Sequence, residues 1–441
     1  MKQKDVLKKT LTPFMLWGLG VGYVISGMYF GWNLGLEKGG TLGLAIATAV
    51  VMVMYASFSL SYAELACAIP KAGGVFDYAN KALGKNWGFI AGIAQMVEFI
   101  FAPPAIAFAI GAYLNAFFPQ VPVLASAIAV YFVFTALNIY GIKAAASFEV
   151  IVTVLAVGEL LLFSGITLPK FRSENLVRNS FPNGWNGVFA AIPFAIWFFL
   201  GIEGVANVAE ETKNPQKDIS RGFGWAILTL VILCVLVFIS TVGVGGWEAV
   251  VYKNGKSGET SDSPLPLALT MITGDNHLMY HLLITIGLFG LVASFHGLVL
   301  AAGRSTYEMG RAKSIPAMLG KISPKFQTPA NALIANMIIG LIALLSGQTA
   351  EIIVISVFGA LTLYILSMVS VIVLRKQAPE MSRPFKVPLY PLFPIVALII
   401  ACCSFIAMLI YNLKLGLIFS GIVLGIFLLY KFFKKQINEY D

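Results

Sequence analysis

This sequence is short of charge. Only 12% of its 441 residues are Asp, Glu, Lys or Arg, about half the roughly 25% of soluble domains. Hydrophobic residues make up 58% and the mean hydropathy is +0.84, which excludes a soluble globular chain and points to an all-α, polytopic membrane protein. Cysteine is scarce as well. Cys67, Cys234, Cys402 and Cys403 lie in or beside apolar runs, without CxxC spacing or a neighbouring histidine, so they read as small core residues rather than disulfides or metal ligands. No HExxH, Ser-His-Asp set or cluster of Cys and His ligands occurs. No enzyme is therefore expected, and no metal or cofactor. The longest segment outside the apolar runs is 247–279, too little for an appended sensor or receptor domain.

Apolar runs of about 20 residues, the length a bilayer requires, recur twelve times: 14–36, 41–66, 87–116, 122–141, 147–168, 187–209, 222–246, 280–303, 329–347, 349–374, 390–411 and 415–433. The basic head from Lys2 to Lys9 precedes a run long enough to span, which reads as a first membrane helix rather than a cleaved leader. Twelve spans put both termini on one side. That side holds 23 of the 30 Lys and Arg residues; the other holds seven, Lys38, Lys170, Arg172, Arg178, Lys253, Lys256 and Lys414. The positive-inside rule then places head and tail in the cytoplasm, with the cell membrane as the location. The net charge of +9 thus reports topology, and no nucleic-acid partner is implied.

Two of the runs interrupt themselves. VISGMYFGWNLG, from Val24 to Gly35, carries Ser26-Gly27, Gly31 and Asn33 inside the first; PFAIWFFLGIEGVANVAEE, from Pro193 to Glu211, carries Gly201, Glu203 and Gly204 inside the sixth. In hydrocarbon each freed backbone group needs a partner, so such breaks persist only where they are buried in protein or line a cavity. Broken helices at matching positions in two halves point to a transporter of inverted repeats. The repeats would be 14–168 and 187–375, with 390–433 as two added helices, 1–13 as head and 434–441 as tail. Glycine also serves close helix packing, the plainer reading of either break alone.

Ionisable side chains at membrane depth are costly and mark functional candidates. They are Glu98, Glu159, Glu203 and His296, with Glu64 and Glu149 nearer span ends; no Lys, Arg or Asp lies near a span centre. This acidic interior without a counter-ion favours a cationic guest. Glu98, followed by Pro103-Pro104, which should kink its helix, could exchange a proton for an incoming ammonium; a hydrogen-bonded structural glutamate is the alternative. Glu203 follows the sixth-span break and suits either cargo binding or gating by holding unwound amides. His296 is a candidate proton site, although packed histidines are often only hydrogen-bonded, and Glu159 has its depth alone to recommend it. His277 and His281 fall in the outer loop or at its edge. Tyr29 and Trp197 are the aromatic residues nearest the breaks, and aromatic faces attract ammonium groups; lipid-facing bulk is the alternative.

The stretches SYAELACAIPKAGGVFDYANKALG (61–84), NIYGIKAAASFE (138–149), AEETKNPQKDISRG (209–222) and GRSTYEMGRAKSIPAMLGKISPKFQTPANAL (303–333) resemble the amino acid–polyamine–organocation transporter superfamily. The likeness covers nearly the whole chain. It implies twelve transmembrane helices, a five-plus-five inverted repeat with broken helices one and six, a midplane site between them, and alternating access. The residues matching the family's broken first helix are Ile25, Ser26, Gly27 and Met28. Within the superfamily, VISGMYFGWNLGL and IWFFLGIEGVANVAEETKNP look most like the ethanolamine permeases. Proton-coupled relatives carry a lysine in the fifth helix; none stands between Ser147 and Leu168. The resemblance implies a small-molecule cargo. Its ammonium would sit against Glu98 and the carbonyls of Trp197, Phe199, Leu200 and Gly201, with a hydroxyl near Ser26 and Gly27, and Trp197 would close the outer side. An amino-acid or polyamine transporter of the same fold remains the alternative.

Overall fold

The computed structural model describes residues 9–140, 145–274 and 278–440, except the side chains of 145–148 and 433–440. Most of the basic head, Lys143, His277 and the side chains of the tail therefore lie outside the described residues. Those described form helices and short 3₁₀ turns, with no strand among them. The two interrupted runs appear as α1 (Pro13–Val24), α2 (Ser26–Tyr29) and the start of α3 (Asn33–Ala68), and as α9 (Gly184–Trp197) followed by a 3₁₀ stretch, Ile202–Glu211. The other long helices are α5 (Lys85–Phe117), α6 (Val123–Tyr140), α7 (Ala145–Thr167), α10 (Pro215–Gly245), α13 (Leu278–Arg311), α15 (Thr349–Gln377), α16 (Leu392–Tyr411) and α17 (Leu413–Tyr440).

Ten described segments are long and apolar enough to cross a membrane; α1 and α14 (Ala330–Leu344) are shorter apolar helices at the places of the first and ninth expected spans. The gap expected between 36 and 41 is real. Gly40, inside α3, has φ +65° and ψ −173°, a conformation only glycine takes readily, and it divides the end of the first span from the second. α5 runs through Pro103 and Pro104 as one helix. The short helices α4 (Val75–Leu83), α8 (Ser173–Val177), α11 (Trp247–Val251) and α12 (Pro264–Thr273) lie in the connections.

Helix packing carries an exchange symmetry between the two halves. α1 packs on α10, and α9 on α3; α5 packs on α6, and α13 on α14; α5 on α15, and α13 on α7; α1 on α7, and α9 on α15. The contacts of α3 with α10 and of α5 with α13 map onto themselves. An odd number of spans per repeat obliges the second to run inverted. α16 and α17 pack outside this unit against α15, and α16 also meets α3 and α9. Side chains such as Phe132 on α6, Ile342 on α14, Ile410 on α16 and Leu424 on α17 face outward, each more than half exposed. A rim this apolar is suited to lipid, and the chain is a multi-pass membrane protein.

At the end bearing the N-terminal head, Glu64 on α3 takes a two-pronged bond from Arg375 on α15, 2.7 Å at Nε and 2.7 Å at Nη2. It also accepts from the Val387 amide at 2.8 Å. Arg383 lies 3.4 Å from the same carboxylate and donates to the carbonyls of Leu374 and Ala378, closing the last turn of α15. At the opposite end Asn33 donates to the carbonyls of Ser261 at 2.8 Å and Val250 at 3.4 Å, tying the outer loop over the first break. Thr349 at the start of α15 donates to Asp262 at 3.1 Å. Burial pushes the Asp262 carboxyl up to about 6, against the opposing effects of Thr349 and Lys253.

Glu64→Gln leaves Arg375 with a neutral partner at a largely buried site and should lower stability by about 3 kcal/mol, read as a lower melting temperature in detergent. For Asp262 the folded value stands above the ordinary 3.8, so its contribution is complete below about pH 4 and lost as the pH rises through 6. Melting temperatures across that interval should fall less in Asp262→Asn than in wild type.

Candidate functional site

Both breaks are buried, and they touch. α1 ends at Val24, Ile25 makes a tight turn, and α2 continues to Tyr29; Ser26 and Gly27 are therefore still helical. The full break falls later, at Phe30, which is extended, and Gly31, whose φ is +85°. Gly27 is needed for space rather than for conformation: a methyl there would collide with the Trp197 carbonyl. On the other side α9 ends at Trp197, and the chain turns at Gly201 with φ +99° before the 3₁₀ stretch.

Side chains take up the carbonyls that the breaks release. Trp197 Nε1 donates to Phe30 O at 3.1 Å, Tyr113 to Tyr29 O at 3.3 Å, and Trp32 Nε1 to Met28 O at 3.2 Å. Ser294 on α13 donates to Tyr23 O at 2.7 Å and is 2.8 Å from the Ser26 hydroxyl. Asn33 Oδ1 accepts the Gly31 amide at 3.0 Å. Each such pairing avoids a penalty of several kcal/mol for a bare peptide group in a dry interior. Trp197 packs edge-on against Phe30 and Trp32 stacks on Phe198, closing the side of the outer loop. At the other end Arg304 on α13 pairs with Glu211 at 2.5 Å, while the Glu211 carbonyl accepts the amides of Thr10 and Leu11. Ile25, Ser26, Gly27, Tyr29, Glu98, Trp197, Phe199, Leu200, Gly201, Glu203, Glu159 and His296 are all buried.

Three acidic groups stand apart within this interior. Glu98 on α5 and Glu203 beyond the α9 break lie close enough for the charge of one to act on the other. Tyr364 on α15 donates to Glu203 Oε2 at 3.1 Å; its hydroxyl is 2.9 Å from that of Tyr55, which also lies 3.4 Å from Ile196 O in the last turn of α9. Phe199 packs on Tyr55, and Phe58 on Tyr364. Ser356 and Gly359 hold α15 close to α5 at this level, Ser356 by a 2.9 Å bond to Glu98 O. Glu159, by contrast, accepts the Tyr29 hydroxyl at 2.6 Å on the α7 side. His296 is also separate, with Nδ1 3.7 Å from Glu149 Oε2, where Glu149 abuts Gly22 of α1.

The fold thus gathers Ser26, Gly27, Trp197 and Gly201 at the touching breaks, and brings Glu98 and Glu203 together beside them. Tyr29 with Glu159, and His296 with Glu149, form two further groups. Leu200 is buried as apolar packing. Tyr55, Tyr364, Ser294 and Glu149 were not anticipated as partners; solitary tyrosines inside the apolar runs of α3 and α15 were the available signal.

The family model for amino acid permeases matches residues 11–430. The chain belongs to the amino acid permease family. Over 418 residues it is 29% identical to the branched-chain amino acid permease BcaP of Bacillus subtilis (strain 168), covering 89% of this chain and 86% of that one. The methylthioribose transporter of the same organism is 27% identical over 416 residues, with the same coverage. The low-affinity putrescine importer PlaP of Escherichia coli (strain K12) is 26% identical over 355 residues, 77% of this chain and 75% of that one. Permeases and transporters, not enzymes, are thus its kin, and a small molecule is the class of cargo. The names of these three relatives span a zwitterion, an uncharged sugar and a dication, so kinship alone leaves the cargo's charge open.

Gly27→Ala should cut cargo uptake into proteoliposomes at least tenfold by holding the two breaks apart. Gly158→Ala, where an added methyl meets nothing within 4 Å, should transport as wild type.

Proposed function

We propose that this permease imports ethanolamine, a small primary ammonium alcohol, across the cell membrane by alternating access, with both termini in the cytoplasm and twelve helices crossing. The observation that carries the reading is the pair of fully buried carboxyls, Glu98 and Glu203, beside the touching breaks. Among the described residues no Lys, Arg or His is paired with either. A buried negative charge is costly without a positive partner, and the described residues offer none.

The ammonium is placed against Glu98 and the end of α9, with aromatic faces at Tyr55 and Phe199 to favour a cation. The hydroxyl is placed at the Ser26–Ser294 pair. Opening outward would part Trp197 from Phe30 and Gly27, and opening inward would part Arg304 from Glu211; the glycine at each break lets the outer and inner half-helices turn independently. If the ammonium crossed alone, an inside-negative potential would supply ~2.3 kcal/mol per 100 mV to it, about fifty-fold in concentration; displacement of a proton from Glu98 would instead give exchange. Glu203, Glu159 and His296 are the candidates for gating or coupling. Retention of Ser26-Gly27, together with the family's amino-acid members, supports a second reading in which a substrate carboxylate docks at the first break.

Uptake of labelled ethanolamine into proteoliposomes should saturate, resist excess alanine and serine, and fall at least tenfold in Glu98→Gln. Uptake of alanine or serine in place of ethanolamine would refute the amine-centred reading and favour the carboxylate site.

A further inference from the structure

Glu98 and Glu203 reach one another across the α9 break, each with 0% exposure. Among the described side chains only Tyr364 serves the pair, at Glu203 Oε2, and the backbone amide of Gly201 at the break reaches both carboxyls. A second observation lies one turn inward. Gln95 Nε2 donates to Asn207 Oδ1 at 3.2 Å, while Gln95 Oε1 and Asn207 Nδ2 are buried without partners. A polar lane therefore leads from the pair toward the Arg304–Glu211 closure. The other titratable groups that reach the pair are the phenols of Tyr55 and Tyr62 on α3 and Tyr364 on α15.

Two carboxylates facing each other in a buried site cannot both be ionised. With no cationic side chain beside them among the described residues, even one charge is costly, which favours a proton on each acid while the pair is empty. An ammonium brings one positive charge and releases one of these protons; the other stays between the two acids. We propose that Glu98 and Glu203 form a single exchange site that trades one proton for one ammonium, an inference that rests on the ammonium cargo proposed above. Binding from outside frees a proton to the outer water, and release inside is followed by uptake of a proton from the cytoplasm. The site is neutral in both states: two protons when empty, one proton and one ammonium when loaded. Cargo moves in, a proton moves out, and no net charge crosses the membrane.

Purified protein in weakly buffered detergent with an indicator dye should release close to one proton per ethanolamine bound. In proteoliposomes, corrected for protein-free vesicles, an inside-acid pH gradient should raise uptake several-fold, and an inside-negative potassium diffusion potential should leave it unchanged. The double variant Glu98→Gln/Glu203→Gln should bind at least tenfold more weakly and release no proton; the wild-type stoichiometry stands as a test even if that variant does not fold. Ethanolamine that enters without proton release, and follows the potential, overturns the exchange site and leaves the cargo reading standing. Proton release lost in Glu149→Gln but kept in the double variant moves the exchange to the α7–α13 pair and overturns it as well. Proton release on adding putrescine but not ethanolamine overturns the cargo reading and keeps the site, and release with neither overturns both.

Discussion

Everything in this permease depends on how two interrupted helices satisfy their backbone groups in a place without water. The solution is mutual. The indole of Trp197, at the end of α9, caps the carbonyl of Phe30 just beyond α2, and the Trp197 carbonyl rests against the bare Cα of Gly27. Ser294 and Tyr113 complete the first break, and Tyr55 reaches toward the last turn of α9. Bonds of this kind contribute about 1 kcal/mol net each but several when lost in a dry interior. The breaks are therefore stable only while they face each other, and that shared dependence lets one event at the site be felt by both halves.

The acidic pair sits where that coupling is strongest. Glu203 belongs to the chain just past the break, Glu98 to the scaffold helix α5, and Tyr364 and Tyr55 join Glu203 to α15, to α3 and to the end of α9. A change of charge at Glu203 is thus a change in the hydrogen bonds that hold the α9 terminus. In the proposed exchange, cargo charge and helix position would be linked through the Glu203 carboxyl and the hydroxyls of Tyr364 and Tyr55, without any long path between distant sites.

Much of this was legible in the sequence, for local reasons. Hydropathy marks lipid-spanning helices directly, and the spacing between the runs at 36 and 41 anticipated the turn at Gly40. The two broken runs announced themselves through glycine, but composition does not distinguish a glycine needed for φ from one needed for space. Gly31 and Gly201 are the first kind, Gly27 the second, so of the residues singled out in the first run Gly31 makes the turn and Gly27 the close approach.

The partners of the buried groups were not legible, since they are set by packing between segments far apart in the chain. Tyr55 and Tyr364 meet across 309 residues, and Ser26 and Ser294 across 268. The same packing sorted the acids into different roles. Glu159 is engaged by Tyr29, Glu149 stands beside His296, and Glu64 is fully engaged by arginine. Among the described residues, Glu98 and Glu203 face each other with no Lys, Arg or His paired to either. A fold that engages the other buried carboxyls and leaves these two together, where both helices are broken, suits the proposed exchange, in which their compensation comes and goes with the cargo.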